Sequence, residues 1–190
     1  MTRRLGLAHA AVRPRRARAD FRTPEARARA RVAAIAFAAQ FPAAFPICGT
    51  LLGMIREGDV IAHDRDVDFG CVGWPHTPMP DRVPGFSLIR RYHLDARPCE
   101  VAYRHDATGV KVDLFLFFDD AASGERFFAI YPDEFPKRRT IIRRFPASLF
   151  EWCDRHVWGH SFRFLRDPEL FLESNYGPTW RVRDEKFRYV

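Results

Sequence analysis

Three aspartates at a spacing of two residues, Asp64, Asp66 and Asp68, form the most chemically suggestive pattern in this chain. A fourth carboxylate, Asp113, lies inside the apolar run 110–118. A charged side chain in such surroundings is costly unless a positive group pairs with it. Because carboxylate oxygens are the preferred ligands of hard cations, we expect Mg²⁺ or Mn²⁺ rather than zinc. A divalent ion held in this way predicts a phosphorylated substrate.

A glycine and a hydroxyl residue, Gly49 and Thr50, stand upstream of the aspartates. Glycine lets a backbone come close to a phosphate, and amides at the start of a following helix can donate to it. We therefore expect Gly49 and Thr50 to contact the phosphate of a substrate. Arg56 is a further candidate for neutralising phosphate charge, with a surface ion pair as its equally weighted alternative.

Other interpretations of the acidic pattern remain in view. An acidic strand face that simply meets solvent is the common explanation of a lone D-x-D-x-D sequence. A calcium loop beginning at Asp64 fails, because Phe69 and Pro75 stand where that loop needs glycine and glutamate. A structural zinc site has no support either, because the cysteines do not form a C-x-x-C pair, and reduced thiols are expected.

The elements that must position the acids are two strands. We expect residues 60–71 to form one strand, on which Asp64, Asp66 and Asp68 share a face at Cα separations of about 6.6 Å. The opposite, buried face would carry Val67, Phe69 and Cys71. The run 110–118 is expected to be a strand beside it, so that all four carboxylates converge on one or two ions.

A helix is expected before this pair of strands. Thr23 and Pro24 suit the N-cap and the first helical position, and the helix should run to Gln40, before Pro42. Its apolar stripe is expected to consist of Val32, Ile35 and Ala36, and its water-facing side is expected to carry Arg27 and Arg31.

Further elements complete a small, largely antiparallel or mixed sheet. They are a short strand at 45–48, a helical turn at 51–56, a strand or short helix at 86–91, a hairpin of 100–105 with 110–118, a strand at 126–131 and a helix at 170–175.

Composition limits the remaining possibilities. The chain has 190 residues, 47% of them hydrophobic, which suits one folded domain. The formal net charge of +7 is concentrated near the start, because residues 1–33 hold ten Arg against two acids. We therefore expect a flexible basic tail at 1–22 and a domain at 23–190. The tail could touch an anionic membrane, but a single basic patch predicts no stable nucleic-acid complex.

The start of the chain lacks the apolar core of a secretory signal. The sequence also lacks an apolar stretch near the roughly 20 residues that cross a bilayer. A cytoplasmic protein is the resulting expectation.

Taken together, these residues resemble the LicD family of phosphocholine- and fukutin-type transferases, within the nucleotidyltransferase superfamily. The resemblance is carried by Gly49-Thr50-Leu51-Leu52-Gly53, by Arg56, Gly58 and Ile61, and by Asp64-x-Asp66-x-Asp68. The stretch from Asp167-Pro168 to Tyr176-Gly177-Pro178-x-Trp180 is similar to the end of such domains.

The resemblance implies an α+β, nucleotidyltransferase-like fold, with a small mixed β-sheet and flanking helices. It implies transfer of a phospho-alcohol group from a CDP-linked donor to a glycan hydroxyl, with release of CMP. Asp66 and Asp68 would be metal ligands, and Asp64 would hold a second ion or orient the loop. Asp113 would complete the metal site or accept the proton of the acceptor hydroxyl.

Two other functions stay open at this point. A nucleotidyltransferase that attaches NMP to a small molecule or a protein would use the same acids, but would release pyrophosphate. A non-catalytic binding protein would use its arginine-rich tail to grip an anionic surface, and that binding would weaken steeply with salt.

Overall fold

A computed structural model describes residues 20–73, 80, 82–130 and 140–184. Within these ranges the helices are α1 (Pro24–Gln40), α2 (Cys48–Arg56) and α3 (Pro168–Tyr176). The strands are β1 (Phe45–Pro46), β2 (Asp66–Val72), β3 (Arg82–Val83), β4 (Phe86–Leu94), β5 (Arg97–His105), β6 (Lys111–Asp120), β7 (Glu125–Ile130), β8 (Ile141–Pro146), β9 (Trp152–Val157) and β10 (His160–Leu165).

Eight of these strands form one mixed sheet. The order β1-β2-β6-β5-β4-β3 makes up its main part, and β7 continues from the end of β6 and pairs with β8. The pairing of β2 with β6 is parallel, and the other pairs are antiparallel. Strands β9 and β10 form a separate hairpin. An α+β architecture with a mixed sheet therefore agrees with the sequence, although the sheet is larger than expected.

The core lies on both faces of the sheet. On one face Phe37 of α1 packs against Phe69, Phe86 and Tyr103. On the other face an aromatic cluster joins the far end of β6 to β7, β8 and α3. Its members are Phe117, Phe128, Phe145, Phe150 and Phe171. The face of β2 opposite its acids is buried as predicted, since Val67, Phe69 and Cys71 are at most 1% exposed.

Helix α1 begins where the sequence predicts, but it buries a different face. The Thr23 side chain accepts a hydrogen bond from Ala26 N, and Pro24 is the first helical residue. Val32, expected in the apolar stripe, is 51% exposed. The buried face consists of small alanines around one large ring, namely Ala26, Ala30, Ala33, Ala34, Phe37 and Ala38. Because alanine side chains are small, the helix can lie close to the sheet through this face, and the predicted stripe is not the buried one.

The arginines of α1 also differ from the expectation. Arg31 binds both carboxylate oxygens of Asp59, at 2.8 and 2.9 Å, and Arg27 lies 3.2 Å from the same carboxylate. The two side chains therefore do more than face water. They tie the helix to the loop that leads into the aspartate pattern.

Helix α2 starts earlier than predicted. The expected strand 45–48 shortens to β1, and the helix takes in Cys48, Gly49 and Thr50 before the predicted start at 51. Gly49 and Thr50 consequently lie in the first helical turn rather than in a turn before it.

The later part of the chain holds strands that the sequence pattern did not reveal. The hairpin of β5 and β6, strand β7 and helix α3 agree with their predictions to within a few residues, and 86–91 is part of strand β4. Strands β8, β9 and β10 were missed. The β9–β10 turn is Trp158-Gly159, with φ of 53° and 77°. Such turns usually read Asn-Gly or Asp-Gly, so the Trp-Gly pair gave no hairpin signal.

The predicted basic tail falls largely outside the described part of the chain, because residues 1–19 are not described. The end of the predicted tail is packed against the domain, since Phe21 is 3% exposed. Of the helices in the described ranges, none combines the length and apolar character needed to cross a bilayer. All cysteines are free thiols, as expected.

Replacing Phe37 by alanine is expected to lower the free energy of unfolding by about 3–5 kcal/mol, because a large ring leaves a cavity between α1 and the sheet. Replacing the exposed Val32 on the same helix should change it by less than about 0.5 kcal/mol. Urea denaturation followed by circular dichroism compares the two. Equal losses would show that α1 packs through another face.

Candidate functional site

The three closely spaced aspartates meet in the structure. One carboxylate oxygen from each of Asp64, Asp66 and Asp68 lies within 4.8 Å of the others. Asp66 and Asp68 are on β2, but Asp64 precedes the strand, which begins at 66 rather than at the predicted 60. Asp64 belongs to a turn in which its N–H donates to Ile61 O at 3.1 Å. The predicted cluster is therefore present, although one member reaches it from a turn.

Two backbone contacts hold this turn in place. Besides the bond to Ile61, the carbonyl of Asp64 accepts a hydrogen bond from Phe21 N at 3.0 Å. The ring of Phe21 is buried, so the segment before α1 is anchored against the aspartate loop. The short segment 20–22 thus helps to fix the backbone of Asp64.

Asp113 lies beside the cluster because β6 runs parallel to β2. The register pairs Asp68 with Asp113 and Asp66 with Lys111. Residues that are paired in register on neighbouring strands point to the same face of a sheet, so the expected juxtaposition of Asp113 with the other acids is found. Asp113 is only 3% exposed, and it is not a member of the group within 4.8 Å.

Lys111 is the residue of this site that the sequence interpretation missed. Its ammonium contacts Asp113 Oδ2 and lies 3.3 Å from Asp66 Oδ2. Only 12% of its side chain is exposed. A signal was available, because Lys111 stands two residues before Asp113 and therefore shares its strand face.

Thr50 fixes the backbone of Asp68. Its hydroxyl accepts a hydrogen bond from Asp68 N at 2.8 Å, and Ile47 N donates to Asp68 O at 3.1 Å. The start of α2 therefore clamps both backbone polar groups of this residue. Thr50 itself is 3% exposed, so the structure shows it as a residue that positions a carboxylate, and its contact with a substrate stays a prediction.

Gly49 makes room for the carboxylates. A Cβ atom at this position would overlap Asp64 Oδ2 and lie 3.6 Å from Asp68 Oδ2. The backbone of Gly49 is ordinary helix, so the glycine is required by space and not by conformation. The contact of Gly49 with a phosphate also stays a prediction.

Arg56 lies at the far end of α2 from Gly49, about 10 Å along the helix axis. Its guanidinium binds Glu57 Oε1 at 2.7 Å and donates to Trp180 O at 3.3 Å. The side chain is 12% exposed. These contacts join α2 to the segment after α3, and a role of Arg56 in binding phosphate stays a prediction.

Burial makes the acids of the cluster hard to ionise together. Burial first, and then the charge of Asp66, raise the pKa of Asp64 well above its usual range. Burial and the charges of Asp66, Asp64 and Asp113 do the same for the pKa of Asp68, against a smaller opposite effect of Lys111. With raised pKa values in the folded state, the metal-free protein loses stability as the pH rises through those values.

A divalent cation fits this arrangement. The donor set consists of carboxylate oxygens, which suit a hard cation such as Mg²⁺ or Mn²⁺. The repulsion among buried carboxylates is what a bound cation would relieve. The site is therefore suited to hold a metal ion at the edge of the aromatic core.

A methyl group at position 49 should disturb the site more than the fold. In Gly49→Ala the carboxylate of Asp64 must turn away, and we expect at least about tenfold weaker Mn²⁺ binding with nearly unchanged thermal stability. Gly53→Ala is the matched comparison, because its Cβ would lie 2.5 Å from the backbone oxygen of Asp59.

Backbone yields less easily than a carboxylate, so Gly53→Ala should cost about 1–3 kcal/mol of unfolding free energy. Titration calorimetry with Mn²⁺ and thermal melts separate the two effects. Mn²⁺ affinity of Gly49→Ala equal to that of the wild type would remove Asp64 from the site.

Comparison with known proteins places this geometry in a family. Residues 44–158 match the family described as "LicD/FKTN/FKRP, nucleotidyltransferase domain". The ribitol-5-phosphate transferase FKTN of Mus musculus is 22% identical over 147 residues, which cover 70% of this chain and 28% of that protein. This chain thus corresponds to less than a third of the length of that relative.

The matched range includes α2, the four aspartates and Lys111. It also extends over more than half of the 190 residues. The resemblance found in the sequence is thereby confirmed, and the chain belongs to the LicD family.

Proposed function

We propose that this protein is a metal-dependent transferase that moves a phospho-alcohol group from a CDP-linked donor to a glycan hydroxyl and releases CMP. The observation that carries the proposal is the carboxylate cluster of Asp64, Asp66 and Asp68, within 4.8 Å, in a chain of the LicD family. Carboxylates gathered this closely serve phosphoryl transfer, which depends mainly on positioning and on charge neutralisation.

Asp66 and Asp68 are the proposed metal ligands, with Asp64 as a third ligand or as the residue that orients the loop. A bound Mg²⁺ or Mn²⁺ would neutralise charge on the transferred phosphoryl group and on the leaving phosphate. The half-buried positions of Asp64 and Asp66 favour a site that is open on one side.

The bond changes of the proposed reaction are simple. The oxygen of the acceptor hydroxyl forms a bond to the phosphorus that carries the alcohol. The bond from that phosphorus to the bridging oxygen breaks, and its electron pair leaves with CMP. The hydroxyl proton needs an acceptor, and Asp113 is either that base or a further metal ligand.

The start of α2 is proposed to face the donor phosphates. Gly49 and Thr50 lie in its first turn, next to the carboxylates. Amide groups at a helix start favour a negative charge. Arg56 remains a candidate for additional phosphate charge, but its present partners Glu57 and Trp180 would first have to release it.

The name of the mouse relative, a ribitol-5-phosphate transferase, makes ribitol phosphate the first group to test as the transferred unit. Phosphocholine and glycerol phosphate belong to the same chemical class and are tested beside it. Because this chain covers 28% of that relative, the acceptor glycan is proposed only as a class.

Incubation with CDP-ribitol, CDP-choline or CDP-glycerol, Mg²⁺ and candidate glycans should release CMP from at least one donor. In Asp66→Ala this release should fall to background, because the variant lacks a proposed metal ligand. Its circular dichroism spectrum should stay unchanged, since Asp66 is only half-buried. Chromatography of the nucleotide products measures it. Asp154→Ala is the control, since Asp154 is an exposed acid on β9.

Each of the other possible outcomes would indicate a different function for this protein. Pyrophosphate formed from an NTP would replace the proposal by NMP transfer. Full CMP release by Asp66→Ala would remove the proposed site. If the protein cleaves neither donor class and binds anionic surfaces in a salt-dependent manner, it is a binding protein.

Metal binding should be visible without any substrate. Millimolar Mn²⁺ is expected to raise the melting temperature of the wild-type protein by several degrees, since ligand binding to the folded state adds about 2.7 kcal/mol at a hundredfold excess over Kd. The double variant Asp66→Asn, Asp68→Asn should show no shift, and Asp154→Asn should behave as the wild type. An equal shift in all three proteins would place the ion elsewhere.

A further inference from the structure

Lys111 shares one carboxylate with the proposed metal site. Its ammonium lies 3.3 Å from Asp66 Oδ2 and contacts Asp113 Oδ2. Asp66 also contributes an oxygen to the group within 4.8 Å that includes Asp64 and Asp68. Asp66 thus stands between two positions for positive charge, one taken by the lysine and one suited to a divalent ion.

Burial makes this position of the lysine significant. The side chains of Lys111 and Asp113 are 12% and 4% exposed. Breaking a buried ion pair by removing one partner is costly, because it leaves an uncompensated charge away from water. Lys111 therefore offsets charge that the folded, metal-free protein would otherwise carry on its acidic face.

A lysine in this place differs from an arginine in the same place. An ammonium is a compact charge on a flexible stem, whereas a guanidinium forms fixed bidentate pairs with carboxylates. Lys111 can therefore leave Asp66 by rotation of its side chain without any change in β6. Two cations on one carboxylate repel each other, so an ion bound by Asp66 favours that departure.

We propose that Lys111 is the resident counter-charge of this site, which competes with the divalent ion for Asp66 and, once displaced, contacts the anionic phosphate of the substrate. The inference rests on the proposed metal site and on a phosphorylated donor, but not on which alcohol is transferred. Binding of the metal and binding of the phosphate are then coupled through Lys111, so that each binds more tightly in the presence of the other.

The test uses Lys111→Met in the full chain, with Mn²⁺ alone and CDP as the probes. Without the competing ammonium, Mn²⁺ alone should bind at least about fivefold more tightly than to the wild type, as expected for loss of one nearby like charge. The melting temperature in EDTA should fall, because Asp113 loses its contact with the ammonium. The affinity for CDP in the presence of Mn²⁺ should decrease by about fivefold or more.

Two further variants make the result specific. Lys111→Gln is also neutral and retains a hydrogen-bond donor, so it replaces Lys111→Met if that variant does not fold. Arg104→Met is the control, because Arg104 is paired in register with Lys111 but donates to Gly109 O at 3.2 Å. It should change the Mn²⁺ affinity by less than about twofold.

A lysine with a purely structural role would not give tighter Mn²⁺ binding in the neutral variants. If Mn²⁺ binds the neutral variants with unchanged or weaker affinity, Lys111 only positions the carboxylates and the competition is wrong. If CDP affinity is unchanged, the contact with phosphate is wrong. These readouts do not use turnover. A failure to release CMP would therefore overturn the proposed reaction, whereas the role of Lys111 is decided by the Mn²⁺ and CDP affinities alone.

Discussion

The parallel pairing of β2 with β6 is the constraint on which the site depends. Its register places Asp68 beside Asp113 and Asp66 beside Lys111, so residues about 45 positions apart share one face of the sheet. A shift by one residue would turn the side chains of one strand to the opposite face. The buried residues on the back of β2, such as Val67 and Phe69, hold the register because they are needed in the core.

The clustered carboxylates are costly to the fold, and the surrounding structure is built to hold them. Thr50 and Ile47 fix the backbone of Asp68, Phe21 fixes that of Asp64, and Gly49 leaves the space that the Asp64 carboxylate fills. None of these contacts neutralises charge. Positive charge comes from Lys111 and, under the proposed function, from a divalent ion. Positioning and charge neutralisation are thus performed by different residues, and the proposed phosphoryl transfer depends on both effects.

The sequence predicted what depends on local pattern. Thr23 and Pro24 marked the start of α1, and Asp113 in its apolar run predicted a strand beside the other acids. It failed where contacts distant in the chain decide the outcome. Val32 is exposed because the sheet accepts the alanine face of α1 instead, and Lys111 acquires its partner only through the register of two strands. The missed hairpin turn at Trp158 depends on a similarly distant bond, from its indole N–H to Gly58 O at 3.1 Å.

The most direct test of this account is the position of a bound ion. Crystals of the protein grown with Mn²⁺ and CDP should give an anomalous difference peak within about 2.0–2.6 Å of carboxylate oxygens of Asp66 and Asp68, which is the range for hard divalent cations. The phosphates of CDP should lie next to that peak. A map in which Mn²⁺ is absent from these aspartates, or in which CDP binds on another face of the sheet, would contradict the account.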